Sequence, residues 1–160
     1  MKMLKRCMDF LGENHIRYSH SIHPPAYTAR EVASADRMPA HNLAKTVVFL
    51  ADEAYGMVVV PADYAVDFTE LRRFLGSSEI RLATEAELFE LFPECEVGAM
   101  PPFGNLFDIP VVVDETVAAS QFIAFTAGTH RDVVHMAFGD FRRLVKPMIA
   151  AVAVRESVGA

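Results

Sequence analysis

Two stretches of the chain, residues 46–50 (TVVFL) and 57–60 (MVVV), are almost unbroken runs of β-branched and apolar side chains. A strand with one face in water alternates apolar and polar residues, whereas a strand covered on both faces is apolar throughout. The pair therefore predicts an antiparallel hairpin near the centre of a sheet, with Ala51, Asp52, Glu53, Ala54, Tyr55 and Gly56 joining its strands. Such a sheet needs packing layers on either side, and the flanking sequence supplies them.

Met1, Leu4, Met8 and Leu11 recur at helical spacing up to Gly12 and predict an amphipathic helix. Residues 17–22 read as a short strand broken by His23, Pro24 and Pro25. Thr28 with Glu31, Asp67 with Glu70 and Thr84 with Glu87 have the spacing of helix-starting caps. The three helices are expected to end before Pro39, at Gly76 and at Pro93 respectively. Residues 109–113 and 121–125 read as strands, with Asp114, Glu115 and Thr116 turning between them. After a turn at Ala127, Gly128, Thr129 and His130 come a strand (133–137), a helix (140–145) and a last strand or helix (148–154). The expected fold is α+β: a single domain over residues 1–160 with a central, curved, mixed β-sheet surrounded by helices.

With 160 residues, 52% of them hydrophobic, the chain can bury one sizeable core. Cys7 and Cys95 lie far apart and match no zinc or redox spacing, which points to a reducing, cytoplasmic setting. The first 15 residues lack the continuous apolar run of a signal peptide, and no stretch is long and apolar enough to span a membrane. The net charge of −6 argues against sequence-independent binding along a nucleic-acid backbone but permits contact with one end of a nucleic acid. Lys2, Lys5, Arg6, Arg72 and Arg73 could serve there, although their default reading is a solvated helix face.

The loop Gly98, Ala99, Met100, Pro101, Pro102, Phe103 and Gly104 sets two flexible residues around two rigid ones. Glycine admits positive φ and close approach to its backbone, while proline fixes φ and removes a donor, so only selected N–H groups are offered. Lys45 directly precedes the first hairpin strand, where its ammonium could meet a phosphate, a ribose oxygen or charge developing on a carbonyl. His20 with His23 and His130 with His135 are spaced poorly for a metal, and no carboxylate or thiol converges with them. Glycine signatures of nucleotide binding, a Gly-x-Ser-x-Gly elbow and an activated cysteine are all absent, which disfavours a covalent-nucleophile hydrolase.

Lys45 with Thr46, Val47, Val48 and Phe49, the loop from Gly98 to Gly104, and the stretch Phe125, Thr126, Ala127, Gly128, Thr129, His130 resemble YbaK/ProX-type proteins in order and separation. Those are free-standing relatives of the editing domain of bacterial prolyl-tRNA synthetase, and the likeness runs over nearly the whole chain. The resemblance implies a cytoplasmic aminoacyl-tRNA deacylase that needs no metal or other cofactor. Its substrate would be the 3′ end of a mischarged tRNA, with a synthetase or elongation factor as a further partner. Lys45 and Gly98 would be catalytic; Ala99, Met100, Pro101, Pro102, Gly128, Thr129 and His130 would bind substrate. Cysteinyl-type members carry a Gly-Gly-x-Ser-Pro loop, so the Ala99 to Pro102 sequence favours alanine, serine or threonine over cysteine as the amino acid removed. A non-catalytic module recognising tRNA ends, nucleotides or a synthetase, and an esterase for small activated esters, are the alternative readings.

Overall fold

The computed structural model describes residues 2–24, 26 and 28–156; Met1 and Pro25, used above, lie outside them. The chain opens with α1 (Met3–Glu13), whose Met3, Cys7 and Leu11 face the core, and β1 (Tyr18–Ile22). Next comes α2 (Ala29–Ala35), where the Thr28 side chain accepts from the Glu31 N–H. A 3-10 turn at Ala40–Asn42 leads into the hairpin of β2 (Ala44–Ala51) and β3 (Ala54–Pro61). Both strands are longer than the apolar runs suggest, and only Asp52 and Glu53 are left to turn between them.

Beyond the hairpin stand β4 (Tyr64–Val66), α3 (Phe68–Leu75), β5 (Ile80–Leu82) and α4 (Glu85–Leu91). Asp67 caps α3 and Gly76 closes it at φ +67°, while α4 starts in a complete Thr84–Glu87 capping box. The second half holds β6 (Val111–Asp114), α5 (Glu115–Ala118), β7 (Phe122–Thr126), β8 (Asp132–Ala137), α6 (Phe138–Val145), β9 (Met148–Ala150) and β10 (Ala153–Arg155).

Five strands form the central sheet in the order β5-β2-β3-β6-β9. Its β2–β3 and β2–β5 pairs are antiparallel and its β3–β6 and β6–β9 pairs parallel, so the sheet is mixed. β3 lies between two neighbours and is buried from Gly56 to Pro61, as its apolar run requires. A second sheet, β1-β8-β7, is wholly antiparallel, and a parallel bridge from Leu43 to Ala124 ties it to the start of β2. The main core fills the space between these layers around Phe103, which is fully buried. The Phe103 ring meets Phe10 at 5.5 Å and Phe125 at 5.1 Å, both edge to face.

Two expectations need correction. Asp114, Glu115 and Thr116 do not turn one strand back on the next: Asp114 Oδ2 accepts from the Thr116 N–H at 3.0 Å and caps α5, so β6 and β7 enter different sheets. Residues 148–154 are not one element, because Val152 leaves the strand direction to donate its N–H to the buried Asp114 Oδ1 at 2.8 Å. The short strands β4 and β5 are unmarked in the sequence, since three-residue ladders are decided by their partners rather than by local pattern.

Candidate functional site

Gly98 occupies the third position of a tight turn closed by Ala99 N–H to Glu96 O at 3.0 Å. Its φ of +86° fits a type II turn, which needs a residue without Cβ at that place. A methyl group added there would lie 3.5 Å from His130 Nε2, an ordinary contact, so the backbone angle and not crowding demands the glycine. The turn is laced to a second one: Glu96 N–H reaches Gly128 O and Gly128 N–H reaches Ala99 O, both at 2.8 Å. Glu96 then binds His130 twice, accepting from its N–H at 2.7 Å and meeting Nδ1 at 3.1 Å. This fixes the imidazole with Nε2 toward the Gly98 α-carbon.

The second turn has its own brace. Thr129 Oγ1 accepts from the N–H groups of Arg131 and Asp132 at 3.1 Å and donates to Asp132 Oδ2 at 2.5 Å. Asp132 in turn meets His20 Nε2 at 2.6 Å, which pins the turn to β1. His23 is buried, its Nε2 without a hydrogen-bond partner among the described residues, and His135 pairs with Asp36 at 3.2 Å. Among the described residues no three His, Cys, Asp or Glu side chains converge as a metal ion needs. The side chains of Ala99, Met100, Pro101 and Pro102 are buried, so the accessible part of that segment is the backbone at Gly98. Among the described residues the N–H groups of Gly98 and Met100 have no acceptor.

Lys45 is the second residue of β2, opposite Val60, and its side chain is 23% exposed. Its ammonium lies 3.2 Å from Glu156 Oε1, while Arg30 Nε of α2 lies 3.4 Å from Glu156 Oε2. The hydrogen bond from Lys45 is the main cause that holds the Glu156 carboxyl below its usual range. Lys45 follows Leu43 by two residues and Thr126 follows Ala124 by two, so the parallel bridge aligns Lys45 with the end of β7 that leads into the His130 turn. Thr46 Oγ1, on the opposite face of β2, is buried without a partner among the described residues. The sequence reading missed Glu96, Glu156, Arg30 and Asp132. Glu96 has a local signal, two residues before Gly98, but Glu156 has none because it is 111 residues from Lys45.

Neither thiol is placed for nucleophilic use. Cys7 and Cys95 are free, and burial, the leading cause for each, pushes both up to about 12. At pH 8 both remain protonated, so iodoacetamide should modify neither in the time that consumes an unhindered thiol. Rapid alkylation of the folded protein, read by mass spectrometry, would contradict that placement.

The fold recurs in solved structures. One is a crystal structure of the hypothetical protein APE2540, with a TM-score of 0.84 and 20% identity, covering 92% of this chain and 99% of that one. Another, named provisionally as a trans-editing enzyme for prolyl-tRNA synthetase, has a TM-score of 0.80 and 22% identity, covering 98% and 99%. At these identities the likeness is one of fold.

Residues 23–144 match the model of the aminoacyl-tRNA editing domain, and the chain belongs to that family. The family assignment bears out the resemblance drawn from the Lys45 strand, the Gly98 loop and the His130 turn, all of which fall inside the matched span. Proline--tRNA ligases of Bacillus cereus (strain AH187) and Bacillus cytotoxicus are each 32% identical over 96 residues, which is 60% of this chain. The alignment spans only 17% of either ligase.

Proposed function

We propose that this chain, acting as one editing domain over residues 1–160, is a cytoplasmic aminoacyl-tRNA deacylase. It hydrolyses the ester joining a wrong amino acid to tRNA, with alanine, serine or threonine favoured over cysteine, and it needs no metal. The observation that carries the reading is the clasp of the Gly98 turn on the Gly128–His130 turn, inside an editing-family span that also holds Lys45. No helix among the described residues is long and apolar enough to cross a membrane, in keeping with action on tRNA in solution.

An aminoacyl ester is already activated, so orientation and stabilisation of the developing oxyanion can suffice. Gly98 leaves room for the ester against its exposed backbone, and its N–H has no acceptor among the described residues. Lys45 supplies positive charge at the substrate end, and His130, held by Glu96, lines the side where the amino acid sits. A hydroxyl of the terminal ribose, as the family resemblance implies, helps the attacking water. Physical need is plain: one methylene gives a synthetase only about 1–3 kcal/mol of discrimination. A synthetase or an elongation factor would help an acidic protein reach its tRNA.

The ribose dependence tests this reading against a general esterase. Ala-tRNA with an intact terminal ribose should be hydrolysed far faster than Ala-tRNA lacking the vicinal hydroxyl or than alanine methyl ester. Equal rates on all three would contradict the proposal.

A further inference from the structure

Two cations from remote parts of the chain converge on one carboxylate. Lys45 of β2 takes Glu156 Oε1 at 3.2 Å and Arg30 of α2 takes Oε2 at 3.4 Å. Each cation thus holds a different oxygen of the same anion, the arrangement that the two non-bridging oxygens of a phosphodiester would accept. Glu156 is a loose occupant. Both distances exceed the 2.7–2.9 Å of a well-made charged hydrogen bond, and its side chain is 37% exposed. It follows β10, a strand paired with β4 at three positions among the described residues, and its own N–H is tied back to Asp63 O at 3.1 Å. The nearby carboxylate of Asp63 is directed at His41, 3.3 Å away, so it does not fill the same place.

We infer that Arg30 and Lys45 together form a binding site for one phosphodiester of a nucleic-acid end, and that Glu156 occupies this site in the free protein as an intramolecular stand-in. The inference rests on the deacylase reading for the identity of the nucleic acid. Substrate entry then exchanges one anion for another, so the cations are never left uncompensated. The exchange also disfavours ligands that bring no phosphate to displace the carboxylate. It offers a route by which a protein of net charge −6 can hold a tRNA end: the contact needs two placed cations and not a basic surface.

The test is an NMR titration of wild type, Glu156→Gln and Arg30→Ala/Glu156→Gln with the dinucleotide CpA, with adenosine and with inorganic phosphate. Glu156→Gln should lower the Kd for CpA by roughly 2- to 5-fold, as loss of one partly exposed competing pair allows, and leave adenosine unchanged. Adding Arg30→Ala should reverse the gain. Unchanged or weaker CpA binding by Glu156→Gln, or equal tightening for adenosine, would overturn the inference. Tightening for inorganic phosphate without any for CpA would overturn the assignment to a nucleic-acid end. Hydrolysis of mischarged tRNA is followed in parallel. Normal hydrolysis with unaltered CpA affinity overturns this inference alone, whereas tightened CpA binding without hydrolysis by any form upholds the phosphodiester site and overturns the deacylase reading.

Discussion

Replacing Lys45 with alanine is expected to slow release of the wrong amino acid by about 10²-fold, the scale of misplacing the ester when the cation that seats the tRNA end is lost. The fold should survive. The side chain lies at the start of β2, and its one described partner is the partly exposed Glu156, which keeps Arg30. Removing such a pair costs about 0–1 kcal/mol, so the melting temperature should move by no more than a few degrees. Lys45→Arg separates charge from shape: it keeps the cation but replaces a compact ammonium by a planar fork, so it should recover only part of the rate. Full activity in the alanine variant, measured as acid-precipitable label remaining on tRNA, would remove Lys45 from the site.

Gly104→Ala should have the largest effect on stability with the least on chemistry. A Cβ at Gly104 would fall 2.2 Å from the Ile109 carbonyl oxygen and 2.5 Å from Val111 Cγ2. The first of these is backbone that cannot rotate away, and Gly104 O itself accepts from the N–H groups of Ile109 and Phe107. Relief would have to shift the entry to β6 and the seat of Phe103 beside it, at a cost of about 3 kcal/mol or more. For a chain of this size that lowers the melting temperature by roughly 6–12 °C. A thermal unfolding curve within 2 °C of wild type would show that the approach relaxes easily.

Gly98 and Gly104 show what the sequence made legible and what it did not. The loop from Gly98 to Gly104 was recognisable as shaped, but its two ends do different work: Gly98 turns the chain at φ +86°, and Gly104 admits a neighbouring carbonyl. Local composition cannot separate those roles, because the second depends on where Ile109 lies. The hairpin, the caps at Thr28, Asp67 and Thr84, and the mixed α+β layout were all readable, since each is written in periodicity or in residues three apart. Partners fixed by tertiary distance were not. Glu156 meets Lys45 across 111 residues, and Asp132 meets His20 across 112. The turn expected at Asp114 failed for a similar reason: its carboxylate serves both α5 and the remote Val152 N–H, which converts a hairpin signal into a helix cap.

The most direct measurement is hydrolysis of a panel of Ala-, Ser-, Thr- and Cys-tRNA by the wild-type chain in the presence of a chelator. Release of alanine, serine or threonine, faster than cysteine and unaffected by the chelator, is the expected result. No release from any of the four, even with a synthetase added, would contradict the deacylase account and leave an editing-domain fold that binds without hydrolysing.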